Sequence, residues 1–100
     1  MPPLHHVMTP EGWARFEAEG TSEQSTRDLT LAEEGFIHCS YADQLEGTLE
    51  RFYGDLAEVV VVTLDPELLD AEVEVEGGFP HVYGPLPIAA VVDVSRRSPG

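Results

Sequence analysis

Glu58–Leu64, with the sequence EVVVVTL, is the segment that decides the fold. Valine is β-branched and fits a pleated, packed surface better than a helix. Successive side chains of a strand point to opposite faces, so four valines in a row leave neither face polar. A short apolar run of this kind is typical of a strand buried on both faces. The sequence therefore predicts a central strand of a sheet here.

Two main helices are predicted before this strand. Thr9–Glu11 starts the first, because Thr can cap, Pro suits the first helical position, and Glu favours the positive end of the helix dipole; Gly20 ends it. Ser40–Asp43 can cap the second, which ends at Gly54. Its apolar residues recur at spacing i, i+4, i+7, which predicts one buried face formed by Leu45, Leu49 and Phe52.

The remaining segments are shorter. Thr30–Glu33 fits a capping box for one helical turn, closed by Gly35. Thr21–Asp28 is polar and is predicted to be a mobile loop, and Phe79–Pro87, with three prolines, is predicted to be an ordered but irregular crossing. Four further segments are predicted to be strands: Leu4–Met8, Phe36–Ser40, Ala71–Glu76 and Ile88–Val94. The valines of Ala71–Glu76 are expected to face inward.

This order of elements predicts an α+β fold, with a small, mixed, strongly twisted β-sheet and two main helices packed on it. A chain of 100 residues fits one domain. We expect that domain to span residues 1–95 and to be followed by a frayed C-terminal tail at residues 96–100.

The charge balance is strongly acidic, with 19 acidic and 5 basic residues and a net charge of −14. Such a chain repels phosphate backbones and anionic lipids, so we expect no nucleic-acid or membrane partner. A small-molecule ligand is expected instead, and the sequence leaves a protein partner open. Cys39 is the one cysteine, which favours a reducing compartment. The N-terminus lacks the pattern of a signal peptide, and we therefore expect a cytoplasmic protein.

Strand alternation sorts the candidate functional residues. In the second predicted strand, His38 and Ser40 share one face with Phe36, whereas Cys39 lies on the other face and is interpreted as a small core residue. The same alternation groups three residues of the Pro-rich crossing if that segment is extended: Phe79, His81 and Tyr83. For this second group, a purely structural role is an equal alternative.

Two further positions carry titratable groups. His5 and His6 are adjacent, so alternation sends one ring to each face of the first strand, and one of them is expected to be exposed. Glu76 ends a strand beside Gly77 and Gly78, where a carboxylate can reach a cleft; the alternative is a side chain that only faces water.

Two strings of sequence resemble a known family. Gly35–Ser40 reads GFIHCS and Phe79–Leu86 reads FPHVYGPL, and both resemble the bacterial family called domain of unknown function 952. The resemblance extends from about Leu4 to Val94. Other matching positions are His6, Val7, Trp13, Glu34, Gln44, Asp65 and Glu76. That family is grouped with the ADP-ribosyltransferase-like superfamily, near the RNA 2′-phosphotransferase branch, so the resemblance implies an ADP-ribosyltransferase-like fold.

The resemblance also implies roles for particular residues. His6 would hold a ribose hydroxyl of NAD, His38 would flank the nicotinamide, and Ser40 would help to orient the ribose. Glu76 would complete the catalytic set, because a carboxylate stabilises the positive charge that develops on the sugar when the nicotinamide leaves. NAD would then be a substrate. The ligand would also contact Phe79, His81 and Tyr83, and no resident cofactor or metal is assigned.

Departures from the family pattern leave alternatives open. Thr21–Asp28 is longer than the family pattern and lacks an expected tyrosine, and only two glycines separate Glu76 from Phe79. One alternative function is a non-catalytic module that binds a small ligand on the same fold. Another is a metal site built from the three histidines His6, His38 and His81, although no His-x-His spacing supports it. The enzyme hypothesis depends on the rings of His6 and His38 opening onto one cleft.

Overall fold

The computed structural model describes residues 1–99, and the four-valine strand lies at the centre of its main sheet. This strand, β4 (Val59–Leu64), pairs antiparallel with β1 (Leu4–Met8) on one side and with β8 (Val91–Arg97) on the other. Val59 and Val61 belong to one apolar cluster, and Val60 and Val62 to a second. The predicted burial of β4 on both faces is therefore confirmed.

A helix packs against each face of this sheet. On one face, α1 (Pro10–Glu19) contributes Trp13 and Phe16 to the cluster around Val60 and Val62. On the other, α3 (Leu45–Tyr53) contributes Leu45, Leu49 and Tyr53 to the cluster around Val59 and Val61. Phe52, which we expected in the buried face of α3, is instead 55% exposed, because Tyr53 occupies the position toward the sheet.

The ends of α1 and α2 (Leu31–Glu34) follow the predicted capping chemistry, whereas the predicted cap of α3 at Ser40–Asp43 is wrong: α3 follows Gln44, which makes no side-chain capping bond, and the Ser40 hydroxyl contacts Thr48. The Thr9 side chain accepts a hydrogen bond from the Gly12 N–H at 3.0 Å, and Gly20 ends α1 in the left-handed conformation with φ of 77°. Thr30 and Glu33 form the predicted capping box of α2, and Gly35 ends that turn. Three single 3₁₀ turns lie at Ala42–Gln44, Pro66–Leu68 and Ile88–Ala90.

The strands form three small antiparallel sheets and not the single mixed sheet that we predicted. Outside the main sheet, β2 pairs with β7, and β6 lies between β3 and β5. The bounds of these strands are β2 (Thr21–Ser22), β3 (Ile37–His38), β5 (Val73–Glu76), β6 (Phe79–Val82) and β7 (Leu86–Pro87). These strands are two to four residues long, and the fold is α+β with three small sheets.

The prediction of an irregular crossing at Phe79–Pro87 is wrong for its first half. Gly77 and Gly78 have φ of 60° and 86°, and they form a two-residue turn that folds β6 back onto β5. Such a turn needs positive φ at both central positions, which glycine adopts without strain. Pro80 lacks an N–H, but its carbonyl accepts a hydrogen bond from the Cys39 N–H at 3.1 Å.

Val75 does not face inward as predicted. It is 52% exposed, whereas Val73 of the same strand packs against the core. β5 is an edge strand, and Val75 pairs with Pro80 near the hairpin turn, whereas Val73 pairs with the buried Val82.

The predicted C-terminal tail begins too early, because β8 continues through Arg97. Arg97 pairs in register with Val59, at the start of β4. Its guanidinium also contacts Glu46 at 2.7 Å, and that of Arg96 contacts Glu58 at 3.0 Å. Of the remaining tail residues, Gly100 lies outside the described part of the chain.

Thr21–Asp28, which we predicted to be a mobile loop, begins with the short strand β2 and is held by hydrogen bonds. After β2, the Gln24 side-chain amide donates to the backbone carbonyls of Thr26 at 2.6 Å and Leu29 at 3.2 Å. Gln24 and Thr30 also form an isolated bridge, so the segment closes on itself. Within residues 1–99, no helix has the length and apolar character needed to cross a bilayer.

Candidate functional site

Five aromatic side chains share one face of the sheet β3-β6-β5. His38 lies opposite His81 in the β3–β6 register, and their ring centroids are 5.3 Å apart. Phe36 stacks on His81, with 3.8 Å between centroids and 6° between planes. Alternation predicted two separate groups on two strands, and the structure joins them on one face, which we call the aromatic face, without Ser40: Phe36, His38, Phe79, His81 and Tyr83.

Glu76 lies at the edge of the aromatic face, at the end of β5. One of its carboxylate oxygens is 3.1 Å from Nδ1 of His81, and the Tyr83 hydroxyl donates to the same oxygen. The Glu76 side chain is 52% exposed, whereas that of His81 is only 12% exposed. Glu76 therefore joins the aromatic residues by hydrogen bonds, at a position that solvent can reach.

Gln44 attaches the hairpin turn of β5 and β6 to the segment that precedes α3. Its amide nitrogen donates to the Gly78 carbonyl at 2.7 Å, and its amide oxygen accepts from the Tyr41 N–H at 2.9 Å. Both ends of the side chain are satisfied, so Gln44 fixes the position of the turn.

His38 connects the aromatic face to a hollow in the surface. Its Nδ1 atom is buried and has no hydrogen-bond partner within residues 1–99. Burial lowers the pKa of His38, and the nearby His81 lowers it further, against an opposing effect of Glu34. The ring is therefore neutral at pH 7, and its unpartnered Nδ1 is buried where the aromatic face meets the hollow.

The hollow beside His38 has a volume of about 250 Å³. Its walls are formed mainly by aromatic rings and small polar side chains, among them His5, His38, Ser40, Thr48, Phe52 and Tyr53. Ser40 is buried, and its hydroxyl is 3.0 Å from that of Thr48. A hollow of this kind suits a flat ring with a few polar atoms.

His5 takes the place in this hollow that we expected for His6. Nδ1 of His5 lies 3.2 Å from the Thr63 hydroxyl, and the backbone of His5 pairs with that of Ser40. Burial lowers the pKa of His5, and Arg97 lowers it further, while Asp93 opposes this effect. His5 is therefore a neutral polar group of the wall, and the choice of His6 as the open ring was wrong.

His6 is sealed inside the protein, on the side of the main sheet that packs against α1. It is 1% exposed, and its Nδ1 donates to the His38 backbone carbonyl at 2.8 Å. Its Nε2 is buried without a hydrogen-bond partner in the described part of the chain. Burial lowers the pKa of His6 to about 4. The expectation that the rings of His6 and His38 share a cleft is therefore contradicted. The ring of His6 contacts the backbone carbonyl of His38 inside the protein, and not the ring of His38.

Arg27 stands at the rim of the hollow. Its guanidinium makes a two-pronged ion pair with Asp55, at 2.8 and 2.9 Å, and lies 5.9 Å from the centre of the Tyr53 ring. A second hollow, of about 370 Å³, shares Val7, Thr26 and Arg27 with the first and also contains Arg15. The segment around Arg27 therefore separates two adjoining hollows.

The histidines do not form a metal centre in this structure. Among residues 1–99, no group of three or more His, Cys, Asp or Glu side chains is arranged to hold a metal ion. His6 points into the core, while His38 and His81 lie on the aromatic face. Cys39 is buried, and burial raises the pKa of its thiol to about 12, which makes it a poor nucleophile.

The family described as protein of unknown function (DUF952) matches residues 7–94. The chain belongs to this family. Most of the DUF952 match lies in the elements described above, and it begins one residue after the buried His6.

Solved structures show the same fold in another protein. CC0527 from Caulobacter crescentus, in its crystal structure, is 24% identical, and the alignment covers 94% of this chain and 84% of that one with a TM-score of 0.78. Its solution NMR structure gives 26% identity, coverage of 95% and 84%, and a TM-score of 0.74. Among curated proteins, none matches this DUF952 chain.

Proposed function

We propose that this DUF952 protein binds NAD or a related nucleotide in the two adjoining hollows and cleaves the bond between nicotinamide and ribose. The observation that carries this proposal is the unpartnered Nδ1 of His38, on a neutral ring where the first hollow meets the aromatic face. A buried polar atom without a partner is costly, and a ligand that hydrogen-bonds to it removes that cost.

The dimensions of the two hollows support a dinucleotide. The first hollow, of about 250 Å³ with aromatic walls, suits a flat ring such as nicotinamide. The second, of about 370 Å³, is lined by Arg15 and Arg27, which could contact a pyrophosphate. Arg27 would have to share its guanidinium with Asp55, and three glutamates line the same hollow: Glu11, Glu19 and Glu23. A dinucleotide that passes the Arg27 segment would occupy both hollows.

The chemistry of the aromatic face supports glycosyl transfer. Departure of nicotinamide leaves positive charge on the ribose, and a nearby carboxylate stabilises that charge. Glu76 supplies a carboxylate on the same face as His38. This arrangement, together with the family resemblance of GFIHCS and FPHVYGPL, favours an ADP-ribosyltransferase-like enzyme.

The test combines ligand-induced stabilisation with an assay of nicotinamide release. NAD at 100 times its Kd should stabilise the protein by about 2.7 kcal/mol, seen as a rise in Tm. The variant His38→Ala should lose both the rise and the release, while Glu50→Gln, on the exposed side of α3, should keep both. Wild-type protein that shows neither stabilisation nor release with NAD would refute the proposal.

A second candidate function is a binding module without catalysis on the same fold. It is favoured by the position of Glu76, which is 52% exposed and does not line the hollow beside His38. Stabilisation by NAD or a nucleoside that depends on His38, without release of nicotinamide, would support this candidate over the enzyme.

For the cellular setting, we propose the cytoplasm and a small-molecule partner. The single cysteine, Cys39, is buried with a free thiol, which suits a reducing compartment. The net charge of −14 disfavours nucleic acids and anionic membranes as partners.

A further inference from the structure

The ring of His81 is held from two sides. Phe36 stacks on its face with 3.8 Å between centroids, and Glu76 approaches its edge at Nδ1, at 3.1 Å. The His81 side chain is 12% exposed, so most of the ring is enclosed while Glu76 remains open to solvent. Stacking prevents tilting and the hydrogen bond prevents rotation, and His81 therefore has one orientation.

The contact with Glu76 also selects the tautomer of His81. A carboxylate accepts hydrogen bonds and has no proton to donate, so Nδ1 carries the hydrogen. The neutral ring then has its lone pair on Nε2. The Tyr83 hydroxyl donates to the same oxygen of Glu76 and so fixes the carboxylate itself. Carboxylate, Nδ1–H and a free Nε2 are the arrangement in which a histidine accepts a proton from a substrate.

We propose that His81, which lies beyond His38 on the aromatic face and not in the wall of the hollow, is the general base for a ribose that extends from the hollow onto this face, that Glu76 and Tyr83 are its positioning residues, and that the acceptor of the transferred ribose is water. This inference rests on the proposed function. It changes the role expected for Glu76, whose carboxylate acts through His81 and not only on the sugar.

The proposed step is hydrolysis of the bond between nicotinamide and ribose. The bond between nicotinamide N1 and ribose C1′ breaks, and its electron pair leaves with nicotinamide, which becomes neutral. The water oxygen forms a new bond to C1′, and the water proton passes to Nε2 of His81. The imidazolium is stabilised by Glu76 and then releases the proton to solvent. The products are nicotinamide, ADP-ribose and one proton.

Charged and titratable groups of two strands surround His81. On β5, Glu74 pairs with His81 in register and Glu76 bonds to it. On β3, His38 lies 5.3 Å away, and burial, followed by the neighbouring His81, lowers its pKa against the opposing effect of Glu34. The Tyr83 hydroxyl donates to Glu76.

Steady-state kinetics of nicotinamide release test this inference. His81→Gln should lower kcat by about 10²-fold or more with little change in KM, since general base catalysis typically contributes about 10²–10⁴-fold. Glu76→Gln and Tyr83→Phe should lower kcat less, because the base remains but its orientation is lost. Glu72→Gln is the control, because its side chain is exposed and only its backbone carbonyl contacts Tyr83, so it should leave kcat unchanged.

A ¹⁵N NMR measurement of the histidine tautomers gives a readout that does not need activity. His81 should be the Nδ1–H tautomer in the wild type, and Glu76→Gln should mix the two tautomers. Wild-type release with an unchanged kcat in His81→Gln would overturn the base assignment alone, as would an Nε2–H tautomer in the wild type. No release in the wild type would overturn the proposed function as well.

Discussion

Acidification should destabilise this protein through His6. In the folded chain, His6 donates from Nδ1 to the His38 carbonyl, and its Nε2 is buried with no partner within residues 1–99. A proton on Nε2 would place a charge in the core, and the cost of burying that charge exceeds what the backbone groups of His38 and Gln24 return. The unfolded chain takes up this proton near pH 6.5, whereas burial lowers the pKa of folded His6 to about 4.

Proton binding at His6 couples the folding stability to pH. Between about pH 4 and 6.5 the unfolded chain binds more protons at His6, so stability falls as the pH falls through this window. Each pH unit between the two pKa values corresponds to about 1.4 kcal/mol, and the whole interval to about 3 kcal/mol. This loss is complete below about pH 4 and absent above about pH 6.5.

Urea unfolding followed by the fluorescence of Trp13 measures this loss. The comparison is between wild type and His6→Asn, in which the amide can donate to the His38 carbonyl but does not titrate. The free-energy difference between the two proteins should change by about 3 kcal/mol in favour of the variant from pH 7.5 to pH 4. Carboxylates titrate alike in both proteins, and their effects cancel in the difference.

His5→Asn is the matched control, because His5 is only partly buried at the hollow and should give a smaller change. Parallel stability curves for wild type and His6→Asn across this pH range would refute the reasoning, since they would mean that folded His6 accepts a proton as readily as the unfolded chain does.

Two further predictions concern packing and burial. A Cβ added at Gly84 would lie 2.6 Å from the Ala71 Cβ, so Gly84→Ala should destabilise by about 1–3 kcal/mol in urea unfolding. Gly47→Ala, in α3 where nothing lies within 4 Å, should stabilise by up to about 1 kcal/mol, and equal effects of both variants would contradict this account. Cys39 should react with a thiol reagent such as Ellman's reagent only when urea unfolds the chain, and rapid labelling of the folded protein would show that its burial is misassigned.

Local signals in the sequence predicted the local structure well. The caps at Thr9 and Thr30 and the glycine at position 20 act within one turn of chain, so residue identity is enough to locate them. The burial of β4 on both faces could likewise be predicted from its four consecutive valines alone. These elements depend little on distant residues.

Pairing between strands was harder to predict. Gly77–Gly78 was interpreted as a break, although two glycines between extended segments are also a hairpin signal. The prolines of the following segment obscured β6, because a proline is uncommon in a strand that is paired on both sides. Pro80 is tolerated there, and its carbonyl still bonds to Cys39. The short strands then join separate sheets, which no pattern within one segment can specify.

The candidate site was predicted only in part, because it too depends on contacts between distant segments. Alternation correctly paired Phe36 with His38 and Phe79 with His81, because residues two apart on a strand share a side, but only the β3–β6 pairing joins these pairs on one face. It also showed that His5 and His6 diverge, but it could not show which of the two sides opens to solvent. That depends on α1 and the sheet β3-β6-β5, which cover His6 and leave His5 at the hollow. Arg27 lies in a loop without periodicity, and only its ion pair with Asp55 reveals its position.

The buried His6 and the open His38 form one structural unit. The ring of His6 holds the backbone carbonyl of His38, and this bond joins β1 to β3 across the core. Because the carbonyl of His38 is fixed from the inside, its side chain is directed outward to the aromatic face and the hollow. The buried His6 thus helps to determine the position of His38, which lines the hollow. It follows that a substitution at His6 can impair ligand binding without His6 contacting the ligand.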